Sequence, residues 1–283
     1  MIPKISVVVP VYNPGIFFSD CIESLERQTL KPFMIVLVDD GSTDGSAEQC
    51  DVFERLYDNV KVVHTSNHGV SHARNVGMSY IEDADYISFV DSDDVAHPQY
   101  IELLYEAIQN DNACASWCRF SEADSFLAYS YQKSSPRRVS SSSLCESIFK
   151  KNDIFYLWDK LFSVKIIKEN DIRFDERYGL WEDLLFCFKY FMLCNDYINC
   201  VDEELYYYRQ NDNSIVHRDA SAKDRIAQFS IASDILFLSV KKMNFRCIFT
   251  SLLQQMKCLV WLTKTILKCA CLLYTSDAAD EGL

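Results

Sequence analysis

Short apolar runs alternate with helical patterns through roughly the first hundred residues of the chain. The runs are almost wholly apolar, as expected for strands buried on both faces of a sheet, and they are ISVVV (5–9), MIVLV (34–38), VKVVH (60–64) and YISFV (86–90). Between them apolar residues recur at helical spacing, first at Phe18, Cys21, Ile22 and Leu25 and then over roughly 44–57, 70–80 and 101–108. This alternation predicts an α/β domain with a largely parallel sheet flanked by helices.

The chain changes character after about residue 121. The serine-rich stretch SSPRRVSSSS (134–143) predicts a surface loop or a mobile segment over the sheet. Residues 178–193 end as a buried helix, and residues 221–270 are predicted to form a helical C-terminal region. Lysines at 257, 264 and 268 interrupt this region, so its uninterrupted apolar stretches are too short for a membrane-spanning helix. Such helices either lie on a membrane surface or pack against the domain.

Both ends of the chain carry further signals. Residues 271–283 include CLLYTSDAADE, which resembles the in-frame translation of a sequencing-library adapter. We therefore expect 271–283 to be a non-native tail and the natural chain to continue past about residue 270. The N-terminal MIPKISVVVPVYN lacks the charged head and cleavage site of a signal peptide, which favours a cytoplasmic location.

The amino-acid composition limits the classes of ligand and partner that we expect this protein to bind. The formal net charge is −13, from 28 basic and 41 acidic residues, and a net negative field disfavours nucleic acid. The twelve cysteines form no CxxC pair and show no zinc spacing, so we expect reduced and mostly buried thiols.

Polar clusters follow three of the predicted strands, at the point where each strand ends. They are PVYN (10–13), DDGS (39–42) and DSDD (91–94). Ligands of open α/β sheets bind beyond the carboxyl ends of the strands, where these clusters converge. The sequence therefore predicts a site at this edge of the sheet.

The DSDD cluster is the strongest of the three signals. In extended backbone Asp91 and Asp93 point to the same side, and paired carboxylates suit a hard cation such as Mg²⁺ or Mn²⁺. The alternative is an acidic turn in which Asp94 helps to start the next helix.

The other clusters carry weaker signals, each with an alternative. A carboxylate of VDDGSTD (38–44) can accept a hydrogen bond from the N–H of a pyrimidine base. The alternative is that this stretch is only a turn and a helix cap. Arg74 lies on the predicted helix GVSHARNVG (69–77), and its planar guanidinium can donate two hydrogen bonds to a phosphate. The alternative is that Arg74 lies on a solvent-exposed face of this helix.

Two later stretches also contain chemical groups. In LWEDLLF (180–186) a partly desolvated carboxylate can serve as a general base, or the acids simply favour a helix N-terminus. Arg209 and His217 follow an aromatic run, and for His217 a surface position is favoured over a role with metal or phosphate.

Six stretches in order resemble glycosyltransferase family 2, which has the Rossmann-like GT-A fold. They are ISVVVPVYN, VDDGSTD, GVSHARN, FVDSDD, WDKLF and WEDLLF, and the likeness extends over roughly residues 3 to 216. The resemblance implies metal-dependent transfer of a sugar from a nucleotide-sugar donor, with inversion at the anomeric carbon. It also implies a nucleotide-sugar-binding half over 1–120 and an acceptor-binding, catalytic half over 121–220.

The resemblance also assigns roles to individual residues. The nucleotide side comprises Pro10, Val11, Tyr12, Asp40, Arg74, Asp91 and Ser92, with Asp40 reading the base. Asp93 is the expected metal ligand together with Asp91, and Asp183 is the expected base. Trp181 and Glu182 are candidates for the acceptor side.

The resemblance indicates a UDP-sugar donor and a glycan or lipid-linked acceptor in bacterial surface-polysaccharide assembly, at the cytoplasmic face of the membrane. Two rivals remain. A sugar-1-phosphate nucleotidyltransferase should carry a glycine-rich loop where this chain has PVYNPG (10–15). A non-catalytic homologue should have lost the acids of DSDD and WED. A dinucleotide oxidoreductase is disfavoured, because no GxGxxG follows the first strand.

Overall fold

The computed structural model describes residues 2–111, 113–122, 135–146, 155–194, 197–210, 221–241 and 247–261 except 249. Its strands are β1 (Ile5–Val11), β2 (Met34–Asp39), β3 (Val60–His64), β4 (Tyr86–Phe89), β5 (Val95–Ala96), β6 (Ala115–Ser121), β7 (Arg137–Ser140), β8 (Lys160–Ser163) and β9 (Tyr197–Tyr207). Its helices are α1 (Phe18–Glu26), α2 (Ser46–Leu56), α3 (Val70–Met78), α4 (Tyr100–Asp111), α5 (Ser141–Glu146), α6 (Val164–Glu169), α7 (Glu182–Leu193) and α8 (Ala222–Lys241). The predicted strands and helices of the first half are confirmed.

The described strands form one sheet in the order β3-β2-β1-β4-β8-β6-β9-β5, with β7 paired to β9. The first four strands are parallel. The chain winds outward from β1 in one direction to β2 and β3, and in the other direction to β4. The crevice at this switch point, beyond the carboxyl ends of β1 and β4, is where open α/β sheets bind their ligands.

The second half of the sheet is mixed. Strand β8 is antiparallel to both β4 and β6, while β6 and β9 run parallel. Strands β5 and β7 complete this half as antiparallel neighbours of β9. The predicted α/β fold, with a mostly parallel sheet flanked by helices, is confirmed. The antiparallel insertion gives the second half its different shape.

The continuous apolar runs arise because helices cover both faces of the sheet. On β1, Val8 faces a core cluster that includes residues of α3, α7 and α8. Val7 and Val9 face a second cluster, which includes residues of α1, α2 and α4. A Cβ added at Gly77 of α3 would lie 2.4 Å from Cγ1 of Val8, so glycine allows this helix to lie directly on the strand.

The loop predicted over 134–143 is wrong for most of that stretch. Residues 137–140 form β7, which pairs antiparallel with β9, and α5 begins at Ser141. The hydroxyl of Ser141 donates to the carbonyl of Cys194 at 2.8 Å, and Arg138 lies over the ring of Tyr197 at 4.3 Å. These partners are distant in sequence, so local polarity alone suggested a loop.

The described part of the C-terminal region is helical, as predicted. Helix α8 packs on α7, and residues 250–261 are also helical. Among the described residues no helix is both long and apolar enough to span a membrane. Ten described cysteines are free, and nine of them are buried. The predicted adapter-like tail over 271–283 lies outside the described residues, as do the rest of the stretch after 261 and His217.

Candidate active site at the carboxyl ends of the strands

The loop after β1 is joined to the loop after β2. The backbone N–H of Asp40 donates to the carbonyl of Val11 at 2.9 Å. Beyond it, Asn13 donates its N–H to Oγ of Ser42 at 3.1 Å and accepts from the N–H of Thr43 at 2.7 Å. These bonds hold the two loops together as one wall of the crevice.

The three residues of the first predicted nucleotide contact differ in exposure. The side chain of Val11 is fully buried in the core, so it can offer only its backbone to a ligand. Pro10 is partly exposed. Tyr12 is 53% exposed, and its ring is available for stacking. The predicted nucleotide contact therefore centres on Tyr12 and the backbone beside it.

Asp40 is buried at 3% exposure and accepts three hydrogen bonds. The donors are the hydroxyl of Thr65 at 3.0 Å, the N–H of His68 at 3.0 Å and the N–H of Gly69 at 2.7 Å. An ionised carboxylate has about four acceptor positions, so roughly one remains for a base N–H. Asp40 thus fixes the loop before α3, a role that sequence spacing did not reveal.

The DSDD stretch is held by β9. The N–H of Asp91 donates to Oη of Tyr206 at 3.1 Å, and the same hydroxyl donates to Asp94 at 2.8 Å. Asp94 also accepts from the N–H of Arg209 at 2.8 Å. Since α4 begins only at Tyr100, the idea that Asp94 starts a helix is wrong. Instead, Asp94 fixes the motif to β9.

Asp91 and Asp93, the other two acids of the motif, are less buried than Asp94. The Asp91 side chain is 29% exposed and Asp93 is partly exposed, while Ser92 is buried. Burial, followed by the charges of Asp91 and Asp93, raises the pKa of Asp94 well above its usual range. The negative charges of these acids therefore repel one another, and a bound cation would reduce this repulsion.

The donor set fits a hard cation only in part. Asp91 and Asp93 supply carboxylate oxygens, which Mg²⁺ and Mn²⁺ prefer. Among the residues that the structure describes, no group of three or more His, Cys, Asp or Glu is arranged to hold a metal by itself. Two protein carboxylates would leave the other coordination positions to water and to oxygens of a bound diphosphate, as is usual for Mg²⁺.

Arg74 joins the DSDD stretch to the start of α7. It is buried, and its guanidinium donates to Oδ1 of Asp91 at 3.1 Å and to Oε1 of Glu182 at 2.9 Å. Burial lowers the pKa of Arg74, but the charges of Asp91 and Glu182 outweigh this effect and raise it. Arg74 is therefore a permanent cation between two acids that lie far apart in sequence. The carboxylate of Glu182, a candidate for the acceptor side, is engaged by this ion pair.

Asp183 follows Glu182 in the first turn of α7. Burial of its carboxyl group raises the pKa to about 7; the charge of Glu182 adds to the rise and Arg74 opposes it. The residue as a whole is partly exposed, and its Oδ1 accepts from the backbone N–H of Leu184 at 2.7 Å. A carboxyl group with this pKa is suited to accept a proton near neutral pH.

The residue before these acids has an unusual backbone. Trp181 has φ 66° and ψ 14°, the left-handed conformation, which is uncommon for a non-glycine residue. Conformations of this kind concentrate at functional sites. The turn brings the chain into α7, and the carbonyl of Trp181 accepts from the N–H of Leu185 at 3.1 Å. Trp181 packs at the edge of the core and remains partly exposed.

The contacts of two side chains near the site were not predicted from the sequence. Tyr206 stacks on Trp158 with ring centroids 4.4 Å apart, but its place in the run YYY gave no hint of its bonds to Asp91 and Asp94. Lys160, in the WDKLF stretch, is fully buried and pairs with Asp159 at 2.5 Å. The unusual order of an acid and a lysine inside an aromatic stretch was the available signal for this pair.

Known glycosyltransferases resemble this chain in sequence. The sequence profile of Glycosyl transferase family 2 matches residues 6–169. EpsJ of Bacillus subtilis (strain 168), an uncharacterized glycosyltransferase, is 32% identical over 222 residues, which are 76% of this chain and 63% of EpsJ. Glycosyltransferase GlyG of Streptococcus pneumoniae serotype 4 is 30% identical over 267 residues, 89% of this chain and 87% of GlyG.

A solved structure gives the same result for the fold. The crystal structure of S. aureus TarS in complex with UDP-GlcNAc matches with a TM-score of 0.66 and 25% identity, over 82% of this chain and 66% of the TarS chain. The described sheet with its flanking helices is thus a GT-A fold, and the chain belongs to glycosyl transferase family 2. It spans about two thirds of the length of EpsJ and of the TarS chain.

Proposed function

We propose that the protein transfers a sugar from a nucleotide-diphosphate sugar to a hydroxyl group, with inversion at the anomeric carbon. The observation that carries this proposal is the Arg74 bridge, which links Asp91 of DSDD to Glu182 beside Asp183. It supports a site in which the leaving group departs on one side and the acceptor is activated on the other.

The nucleotide side of the proposed site is the wall formed by the loops after β1 and β2. Tyr12 offers an exposed ring to the base, and Asp40 keeps roughly one acceptor position for a base N–H. UDP-sugars are the donors we propose, which agrees with UDP-GlcNAc in the related TarS structure.

The diphosphate of the donor belongs beside Asp91 and Asp93 in this proposal. These residues would hold Mn²⁺ or Mg²⁺, and such an ion would neutralise charge on the departing diphosphate. Arg74 holds Asp91 in place and adds a fixed positive charge to the site. Ser92, between the two acids in sequence, is buried.

Asp183 is the proposed general base. Its pKa of about 7 lets it accept the proton of the acceptor hydroxyl while that oxygen attacks the anomeric carbon. Glu182 is bound to Arg74, so in this proposal it positions the turn of α7 and does not bind the acceptor directly. The partly exposed Trp181 is proposed as a surface on which an acceptor sugar stacks.

The proposed acceptor is a glycan or lipid-linked hydroxyl in the assembly of bacterial surface polysaccharide. This would place the reaction at the cytoplasmic face of the membrane. Peripheral contact through the C-terminal helices is supported by exposed apolar side chains there, including Phe237 at 60% and Met256 at 61% exposure.

A donor panel tests this function. The protein is incubated with different nucleotide sugars and Mn²⁺, Mg²⁺ or a chelator, and release of the nucleoside diphosphate is measured. We expect turnover of UDP-sugars that the chelator abolishes, and an inverted anomeric configuration in the product by NMR. Turnover of no nucleotide sugar would overturn the proposal, and turnover undiminished by chelator would overturn the metal role.

A further inference from the structure

His64, the last residue of β3, lies between two carboxylates. Its Nδ1 is 2.9 Å from Oδ2 of Asp39 on β2, and its Nε2 is 3.0 Å from Oδ1 of Asp51 on α2. Both ring nitrogens face an acceptor, and only the imidazolium form carries a proton on each nitrogen. The geometry therefore favours a charged histidine that joins β2, β3 and α2.

The surroundings of His64 agree with this charge state. The carboxylates that reach it are Asp39 from β2 and Asp51 from α2, while Glu54 of α2 is paired with Lys61 of β3 at 3.0 Å. Hydrogen bonds to Asp39 and Asp51 raise the pKa of His64 above its ordinary value, although burial opposes them. The charged bridge is therefore complete at low pH and is lost as the pH rises through this raised value.

Asp39 connects the bridge to the loops of the site. The side chain is 4% exposed, and its second oxygen, Oδ1, accepts from the N–H of Ser42 at 3.0 Å. The hydroxyl of Ser42 in turn accepts from the N–H of Asn13. Asn13 follows Tyr12 directly and has a left-handed φ of 51°, which asparagine adopts more readily than most non-glycine residues and which its bond to Ser42 helps to fix. A continuous chain of hydrogen bonds thus runs from α2 to the loop that carries Tyr12.

We infer that His64 is a positioning residue for the donor: it fixes Asp39, and Asp39 fixes the turn that shapes the nucleotide-binding wall. The inference rests on the proposed nucleotide-sugar donor. His64 acts through Asp39 and need not touch the donor itself. Its loss should therefore weaken donor binding and leave the chemical step largely intact.

The variant His64→Gln tests this role, because glutamine retains a donor group but cannot carry the charge that serves both carboxylates. We expect the donor KM and the UDP Kd to rise roughly threefold to tenfold, the range for a partly exposed charged hydrogen bond. The kcat should change little. In the wild type, donor affinity should weaken as the pH rises through the raised pKa of His64, and the variant should lack this limb. Lys61→Gln, on the same strand but outside the bridge, is the matched control and should behave as the wild type.

The outcomes separate this inference from the proposed function. If the wild type binds UDP and His64→Gln has the same affinity and pH profile, the inference is wrong. If the wild type binds no nucleotide, the proposed function fails instead. If kcat and donor affinity fall together with the unfolding midpoint, His64 is only structural and the inference is overturned. Asp51→Asn removes one side of the bridge and keeps His64, so it should weaken UDP binding in the same direction by less; unchanged binding would contradict the role.

Discussion

Replacing Arg74 by methionine should destabilise the fold strongly, because Arg74 neutralises two acids from distant parts of the chain. Its side chain is 6% exposed and donates to Glu182 at 2.9 Å and to Asp91 at 3.1 Å. Methionine keeps much of the apolar stem but removes every donor. Removing one partner of a buried ion pair costs about 3–5 kcal/mol, and the partial exposure of Asp91 favours the lower end, about 3 kcal/mol.

The same variant should also change the pH dependence of activity. Arg74 opposes the rise in the pKa of Asp183, so without it that pKa should move above its value of about 7. The acid limb of kcat/KM should therefore shift to higher pH, because more base is protonated at neutral pH. Urea denaturation and a pH profile of donor turnover measure the two effects.

Arg177→Met is the matched control for Arg74→Met. Arg177 also contacts two carboxylates, Asp175 at 2.6 Å and Asp234 at 3.0 Å, but its side chain is 67% exposed. Exposed ion pairs contribute at most about 1 kcal/mol, so this variant should remain close to the wild type. Equal stability losses in the two variants, or an unmoved acid limb in Arg74→Met, would refute the reasoning.

Three further predictions concern other parts of the site and its support. Gly77→Ala should cost about 1–3 kcal/mol in urea denaturation, because its Cβ would lie 2.4 Å from Val8. Gly179→Ala, where a Cβ meets nothing within 4 Å, should not destabilise, and a similar loss there would contradict the packing explanation. Asp93→Asn should make UDP binding insensitive to Mn²⁺ in calorimetry, and retained metal dependence would exclude Asp93 as a ligand. Wild-type kcat/KM should decline as the pH falls below about 7, where Asp183 becomes protonated, and a flat profile would argue against this base.

The parallel half of the fold could be predicted from the sequence because its signals are local. A strand covered by helices on both faces is apolar at most positions, and each of β1, β2, β3 and β4 overlaps a predicted run, with β1 and β2 extending one or two residues beyond theirs. The polar clusters then mark where each strand ends. Their convergence follows from the topology of a parallel sheet.

The remaining features depend on contacts between distant residues, which a single sequence does not display. Strand β7 is polar, and it forms because β9 offers an edge for pairing. Asp94 looks like a helix-start acid until Tyr206, 112 positions later, supplies its partner. His64 looks like the end of an apolar run, and its two carboxylates lie on separate elements. The sequence therefore identifies the acids of the site but not the groups that hold them.

The role of Asp183 is tested most directly by measuring donor turnover and UDP affinity side by side in Asp183→Asn. The substitution is nearly isosteric and removes only the ability to accept the proton. General-base catalysis typically contributes about 10²–10⁴ in rate, so turnover should fall by that factor while the UDP Kd stays close to the wild-type value. Turnover at the wild-type rate, or a loss of turnover that a parallel loss of UDP binding fully explains, would contradict the assignment of Asp183 as the base.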